Sequence, residues 1–307
     1  MKRLEQVTLK QLRALQSVVA HRSISAAAEG LFLTPPAVHN QLKVLEENFG
    51  CALVVRQGPD SFLPTAEGAA LIVAYEETRA ALERAVHQVD ALKKGLSGSV
   101  ILGVVSTAKY YAPNLVAQLR KALPDIDVTL RVGNRERIVA ALAARELDIG
   151  IMGRPPRVPE VTASILGDHP HYLVAAPGHP LAGKAAVSAQ DILAEHFVMR
   201  EQGSGTRILC MRYLDELGAG REVSSTEMDS NETIKQAVIS GLGIALLSGH
   251  TMVEELRSGR LAVLAAPNLP IIRQWFLVHR ADTAPRGAVR TVWDWIGQHS
   301  SELLPRL

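Results

Sequence analysis

Cysteine is nearly absent. The 307-residue chain holds two, Cys51 and Cys210, too far apart for a disulfide framework or a metal knuckle, which fits a reducing cytosol. Aromatic residues are also sparse, at 4% of the chain, so the cores must be built from aliphatic side chains. Charge of one sign is missing: 33 Lys plus Arg stand against 31 Asp plus Glu, a formal net charge of +2. Affinity for nucleic acid would therefore have to come from local placement of cations, not from a polybasic tail. No apolar run approaches the roughly 18 residues needed to span a bilayer, and the opening MKRLEQVTLKQL has no signal-peptide apolar segment, so neither membrane insertion nor export is expected. Solenoid-length repeats and low-complexity tracts are absent too. What remains is ordinary globular composition, 47% apolar and 21% charged, in a chain long enough for two or three domains.

The most informative stretch is Ser25 to Glu47, SAAAEGLFLTPPAVHNQLKVLEE. Ala27, Ala28 and Leu31 form the apolar row of a short, small-residue helix that must pack closely on its neighbours. A turn at Phe32–Leu33 follows, then Thr34 at a helix N-cap position with Pro35 at N1, where a missing N–H does no harm. Val38, Leu42, Leu45 and Phe49 recur at spacings of four, three and four, which buries one stripe and leaves Pro36, His39, Asn40 and Lys43 facing outward. This is the division of labour in a helix-turn-helix, and also of an ordinary helical hairpin. Its surroundings favour the former. Thr8 opens a preceding helix with the apolar row Leu9, Leu12, Leu15 and Val19. After Gly50, Ala52–Val55, a turn at Gln57–Asp60 and Ser61–Leu63 read as a wing with Arg56 at its edge.

Thr65 then caps a long helix over Ala66–Lys93, roughly 42 Å at about 1.5 Å per residue. Leu71, Tyr75, Thr78, Leu82, Ala85, Val89 and Leu92 alternate spacings of four and three along it, a heptad seam suited to dimerisation. Gly95–Ser99 breaks the pattern. Beyond it, strands at Val100–Val105, Asp127–Val132, Asp148–Met152, Val161–Leu166, Tyr172–Ala176, Phe197–Arg200, Glu222–Thr226, Ile244–Ser248 and Trp275–His279 alternate with helices. That order predicts a predominantly parallel α/β fold, as one large sheet or two small ones with a ligand cleft between them.

The register Thr8-Leu9, Gln11-Leu12, Leu15, Val18-Val19, Ser23, Ser25, Ala27-Ala28, Leu31, Thr34, Pro36-Ala37-Val38, Gln41-Leu42, Leu45-Glu46, Gly50, Leu53, Arg56, Leu63, Thr65 and Glu67-Gly68 resembles the LysR-type transcriptional regulators. The likeness continues through Gly241–Ala245 and covers nearly the whole chain. It implies an N-terminal winged helix-turn-helix (1–65), a linker and dimerisation helix (66–94), and an effector-binding domain (95–307). The last is expected as two Rossmann-like subdomains similar to periplasmic binding proteins, lobe I at about 99–166 and 268–302 and lobe II at about 167–267. Within the family, GVVSTAKYYAPNLVA, REQGSGTR, SNETIKQAVISGLGIALLSGHTM and LPIIRQWFLVHR look like the regulators of Calvin-cycle genes. That likeness implies control of carbon fixation, with a phosphorylated sugar or NADPH as candidate signal. A related regulator of another operon, answering to a carboxylate, is the alternative. Many family members carry Gln where this chain has Pro35 and Ser where it has His39, so the operator sequence does not transfer.

On these grounds double-stranded DNA is the expected partner, as an interrupted palindrome. Ser25 and Thr34 are assigned to phosphates, Pro36 to a base methyl, His39, Asn40 and Lys43 to the groove, and Arg56 to the wing. The resemblance implies a homodimer assembling to a homotetramer, and contact with RNA polymerase. The effector is assigned Ser106 and Thr107 at the carboxyl end of the first strand of the domain, and Gly205, Thr206 and Arg207 where a glycine-rich loop enters a helix whose positive end suits an anion. Thr206 can equally be a helix cap. Asn134, Arg154 and Asn231 fall at family positions near the same cleft, with capping as the plainer role of Asn231 and a surface ion pair as that of Arg154. The GSGTR loop lacks the Gly-Lys-Ser/Thr ending of a P-loop. No resident cofactor and no metal are expected, since His169 and His171 lack a third ligand at metal spacing. Neither a nucleophile elbow nor a catalytic triad order emerges, so an enzyme is not expected. A transporter's solute-binding protein would share the two-lobed domain but not the N-terminal helices.

Overall fold

The computed structural model describes residues 5–57, 61–93, 96–218 and 223–306, and the chain divides into two compact units, Met1–Arg84 and Ala85–Leu307. The expected wing turn, the Gly95 break and the start of the Glu222 strand lie partly outside the described residues.

The first unit opens with α1 (Leu9–His21), α2 (Ile24–Leu31) and α3 (Pro35–Phe49), followed by β1 (Val54–Arg56), β2 (Phe62–Pro64) and the long α4 (Ala66–Lys93), whose last residues belong to the second unit. A capping box between Thr8 and Gln11 fixes the start of α1. This bond draws Gln11 inward, and the buried row is Gln11, Ala14, Leu15 and Val18. Leu9, expected to be part of the row, is 44% exposed. Ala14, Val18, Ala27, Ala28 and Val38 form one small core, and Leu15, Leu42, Leu45 and Leu53 a second. The alanines let α2 lie close to its neighbours, and α2 ends where Phe32 turns left-handed at φ 57°.

The strands of the wing pair antiparallel from Val54↔Pro64 to Arg56↔Phe62. β1 starts two residues later than the sequence suggested because the preceding backbone is held otherwise. Glu46 Oε1 accepts from Leu53 N at 2.8 Å, and Thr65 Oγ1 donates to Ala52 O at 3.0 Å. Along α4, Leu71 joins the second core and Tyr75 is buried. Further on, Leu82, Val86, Val89 and Leu92 are 47–59% exposed, a solvent-facing apolar stripe.

The second unit runs β3 (Gly98–Val105), a 3-10 turn at Ala108–Tyr110, α5 (Ala112–Ala122), β4 (Ile126–Gly133), α6 (Arg135–Ala143), β5 (Ile149–Met152) and β6 (Val161–Ala175). It continues with α7 (Ala189–Leu193), β7 (Phe197–Arg200), α8 (Gly205–Gly218), β8 (Ser225–Met228), α9 (Asn231–Ile239) and β9 (Ala245–Ser248). A 3-10 turn at Gly249–Thr251, α10 (Val253–Arg257), β10 (Ala262–Val263), β11 (Ile271–Arg280), α11 (Gly287–Gln298) and α12 (Ser300–Leu303) complete it.

β3 pairs parallel with β4 and β5, and β7 pairs parallel with β8. The expected parallel character stops there. β6 and β11 are long antiparallel partners that run through both lobes, with β5 pairing antiparallel to β11, and β9 and β10 to β6. The two strands expected at Val161–Leu166 and Tyr172–Ala176 are one strand. Gly167-Asp168-His169-Pro170 reads as a break, but the ladder absorbs it. A register shift opposite Trp275/Phe276 takes up one residue, and Pro170 sits just before the segment that gains β9 as a neighbour, where a missing N–H is tolerated. Lobe I packs around Leu102, Leu115, Ile149, Ile151 and Trp275. Lobe II packs around Leu173, Phe197, Leu214 and Leu246 on one side and Val174, Ile234 and Leu247 on the other. The carboxyl ends of β3, β4 and β5 open toward the junction of the lobes, where ligands bind in sheets of this kind.

Candidate DNA-binding and effector sites

Helix α3 buries Val38, Leu42 and Leu45 and exposes Pro36, His39, Asn40 and Lys43. Lys43 lies 3.8 Å from Glu47, an exposed pair one turn on. Thr34 occupies the N-cap position in an extended conformation, but its side chain makes no cap bond. The Ala37 and Val38 N–H groups bond instead to the Thr34 carbonyl, at 3.0 and 3.2 Å, which leaves the hydroxyl to a ligand oxygen. Ser25 is exposed on α2, whose cap is Ser23. Arg56 ends β1 with its guanidinium 6.0 Å from the centre of the Phe62 ring. All seven residues assigned to DNA are therefore on the outside of the unit, four of them on one helix.

The second unit contains a cavity of about 330 Å³, within the usual range for small-molecule sites. Ser106 and Thr107, just past β3, and Gly205 and Thr206, in the first turn of α8, line it, as does Arg154 beyond β5. Asn134, Arg207 and Asn231 do not. Asn134 caps α6, accepting from Arg137 N at 3.0 Å, and donates to Glu201 at 3.2 Å. Arg207 turns away, donating at 2.7 Å to Arg200 O and to Glu227 Oε2. Asn231 is buried and accepts from Arg200 Nη1 at 2.7 Å, while Ser230 caps its helix.

The residues that dominate the cavity were missed in the sequence. Arg135, Arg157, Arg212 and Arg273 join Arg154 on its wall, and no Asp or Glu is among the lining residues. Among the described residues, none of these five arginines forms an ion pair. Burial, and then the neighbouring Arg154, lowers the pKa of Arg135, and burial followed by Arg154 and Arg212 lowers that of Arg273. Uncompensated like charges at a half-buried site are costly until an anion arrives. Ser204, just before α8, and Gly205 and Thr206, in its first turn, add the positive end of a helix.

Arg200, which the sequence reading also passed over, organises the seam between the lobes. It is 3% exposed. Its Nε and Nη2 grip Glu201 at 2.7 and 2.9 Å, and Nη2 also reaches Ser106 Oγ at 3.1 Å. Close by, Glu136 N donates to Gly203 O at 3.1 Å. Gly203 has φ 80°, and a Cβ there would lie 2.2 Å from Glu136 Oε2, so the loop before α8 passes this close only as glycine.

His169 and His171 complete the wall. His169 stacks on Trp275 with ring centres 3.8 Å apart, and Trp275 Nε1 donates to His250 Nδ1 at 3.0 Å. Burial lowers the pKa of all three histidines, His171 and His250 to about 4, so the rings are neutral at pH 7. Among the described residues, no group of three or more His, Cys, Asp or Glu is arranged to hold a metal ion.

An exposed recognition-type helix with a wing, joined by a long helix to a two-lobed α/β domain with a cationic cleft, defines a ligand-responsive DNA-binding protein. Residues 9–69 match the model of the bacterial regulatory helix-turn-helix protein, lysR family, and residues 93–301 that of the LysR substrate binding domain. The chain belongs to the LysR family of transcriptional regulators. The HTH-type transcriptional regulator CbbR of Cereibacter sphaeroides is 52% identical over 92% of this chain and 91% of its own. A solved regulatory domain, that of CcmR from Synechocystis PCC6803 in complex with 2-PG, is 33% identical, covering 67% of this chain and 98% of that one at a TM-score of 0.61. Full-length CbnR in complex with its target DNA has the same fold at 17% identity, with a TM-score of 0.65 over 96% of this chain and 100% of that one.

Proposed function

We propose that this chain regulates transcription of Calvin-cycle genes in answer to a small phosphorylated anion. The observation that carries the ligand class is the cavity with five arginines and no carboxylate on its wall. Planar guanidinium groups pair bidentately with the oxygens of a multiply charged phosphate, and several together demand more than one negative charge. At about 330 Å³ the cavity is at the small end for ligand sites, which favours a compact phosphorylated metabolite over a dinucleotide such as NADPH. The gene class is supported by the CbbR relative, and the ligand class by the 2-PG complex of the Synechocystis domain.

On the DNA side, α3 enters a major groove with His39, Asn40 and Lys43, Pro36 packs on a base methyl, Thr34 and Ser25 hold phosphates, and Arg56 reaches from the wing. A single head makes too few contacts for regulatory affinity. Pairing along α4 supplies a second, and a pair of dimers bends the DNA between two sites. Ligand binding favours one geometry of the lobes and so changes the bend and the contact with RNA polymerase in the cytoplasm.

His39→Ala is expected to weaken operator binding by about 1–3 kcal/mol and to relax preference at one base pair, read by competition between single-base operator variants. Unchanged affinity and preference would remove His39 from the groove. The ligand class is tested by calorimetric titration of the full chain with 2-PG and with a dicarboxylate of similar size. The phosphorylated compound is expected to bind at least tenfold tighter; binding of the dicarboxylate alone contradicts the assignment.

A further inference from the structure

Among the described residues, the buried side-chain atoms without a hydrogen-bond partner are Arg84 Nη1, Tyr110 Oη, Tyr111 Oη and His169 Nδ1. Of these only His169 belongs to a residue lining the arginine cavity. An unpaired polar atom is a cost that a native core rarely carries, unless a ligand relieves it. The rest of the ring is fully engaged. Nε2 lies 2.9 Å from Ser248 Oγ, one face stacks on Trp275, and the residue is 4% exposed. His169 is thus held in one orientation, with a single ring atom left to bind anything.

Building on the reading of the cavity as an anion site, we propose that His169 is a specificity-determining residue that donates its Nδ1–H to an oxyanion of the effector. Among the described residues the Ser248 hydroxyl bonds only to Nε2, and the tautomer this role requires has that O–H donated to Nε2 and the ring hydrogen on Nδ1. The opposite tautomer would aim a lone pair at an anion. The ring stays neutral. Burial is the main reason, reinforced by His171 on the same strand, His250 after β9 and Arg273 on β11. The five arginines supply the charge, and His169 supplies a directional contact that depends on where the ligand's oxygen sits. Gly153, also on the cavity wall, lies beside that edge of the ring: a Cβ there would lie 2.9 Å from Nδ1. Nδ1 is shielded from solvent in this conformation, so the contact also requires the wall beside it to shift as the ligand enters.

The test is titration of the full chain with 2-PG, comparing wild type, His169→Asn, His169→Gln and Gly153→Ala. The amide nitrogen of Asn can take the place of Nδ1, whereas that of Gln falls near Nε2. His169→Asn is expected to stay within about threefold of wild type, and His169→Gln and Gly153→Ala to lose roughly 10- to 100-fold, the size of one hydrogen bond to a charged group. Nitrogen-15 spectra of the wild-type imidazole need no substitution and guard against a variant that misfolds. On adding 2-PG the His169 Nδ1 resonance is expected to move while remaining that of a neutral, protonated nitrogen. Equal affinity of wild type and a folded His169→Gln, or an Nδ1 resonance unmoved at saturation, overturns the role of His169 alone. No binding of 2-PG by the wild type overturns the anion-cavity reading as well.

Discussion

Arg273→Ala is expected to lower affinity for a phosphorylated effector roughly a hundredfold, the value of a partly buried, charge-assisted contact, while operator binding without ligand is unchanged. Arg273 sits on β11, the strand that runs through both lobes, and its ion is disfavoured by burial and by Arg154 and Arg212. The same substitution should therefore leave the ligand-free protein equally stable or slightly more so, because it removes an uncompensated charge. Thermal melts with and without 2-PG measure both effects: the ligand-induced rise in Tm should vanish while the ligand-free Tm holds or climbs. A large fall in the ligand-free Tm would instead make Arg273 a structural residue. Arg207, by contrast, spends its Nη1 on Glu227 and the Arg200 carbonyl. Its removal should act only through the placement of α8 and should cost less.

Val86→Asp combined with Val89→Asp is expected to abolish dimerisation and, with it, tight operator binding. These side chains are 59% and 49% exposed, in line with Leu82 and Leu92 on one face of α4. A solvent-facing row at this spacing is unusual unless another helix covers it, and two buried carboxylates would each be strongly unfavourable there. Loss of the second head should reduce operator affinity by about 10²–10⁴-fold, because the second contact is no longer intramolecular. Sedimentation gives the assembly state and gel retardation the affinity. A double variant that remains a dimer would move the seam away from α4.

Where the chemistry was local, the sequence was readable. Thr34-Pro35-Pro36 marks the start of α3 because proline at N1 leaves few alternatives, and α4 has the bounds read from its spacing, Ala66–Lys93. Ser106, Thr107 and the Gly205-Thr206 turn were found because they follow a strand or open a helix, and such ends face the crevice. Features that depend on distant partners were not readable. The five arginines come from three elements, α6, α8 and β11, and the loop between β5 and β6, between positions 135 and 273, and the antiparallel course of β6 and β11 helps to gather them. That course was itself hidden, since Gly167 and Pro170 imitate a turn. His169 and His171 were weighed as metal ligands, set aside for want of a third, and left without a role. What marks His169 is an unpaired nitrogen, and no sequence displays that.

The most direct measurement is a nuclease footprint, with a parallel bend assay, on the promoter beside this chain's own gene, with and without 2-PG, for wild type and Arg273→Ala. The expected result is two adjacent protected sites, with a footprint length or bend that changes on adding ligand to the wild type and stays fixed in the variant. A footprint that is the same in all four conditions, at a concentration where calorimetry has shown the wild type saturated, would contradict the claim that the arginine cavity controls how the protein lies on DNA.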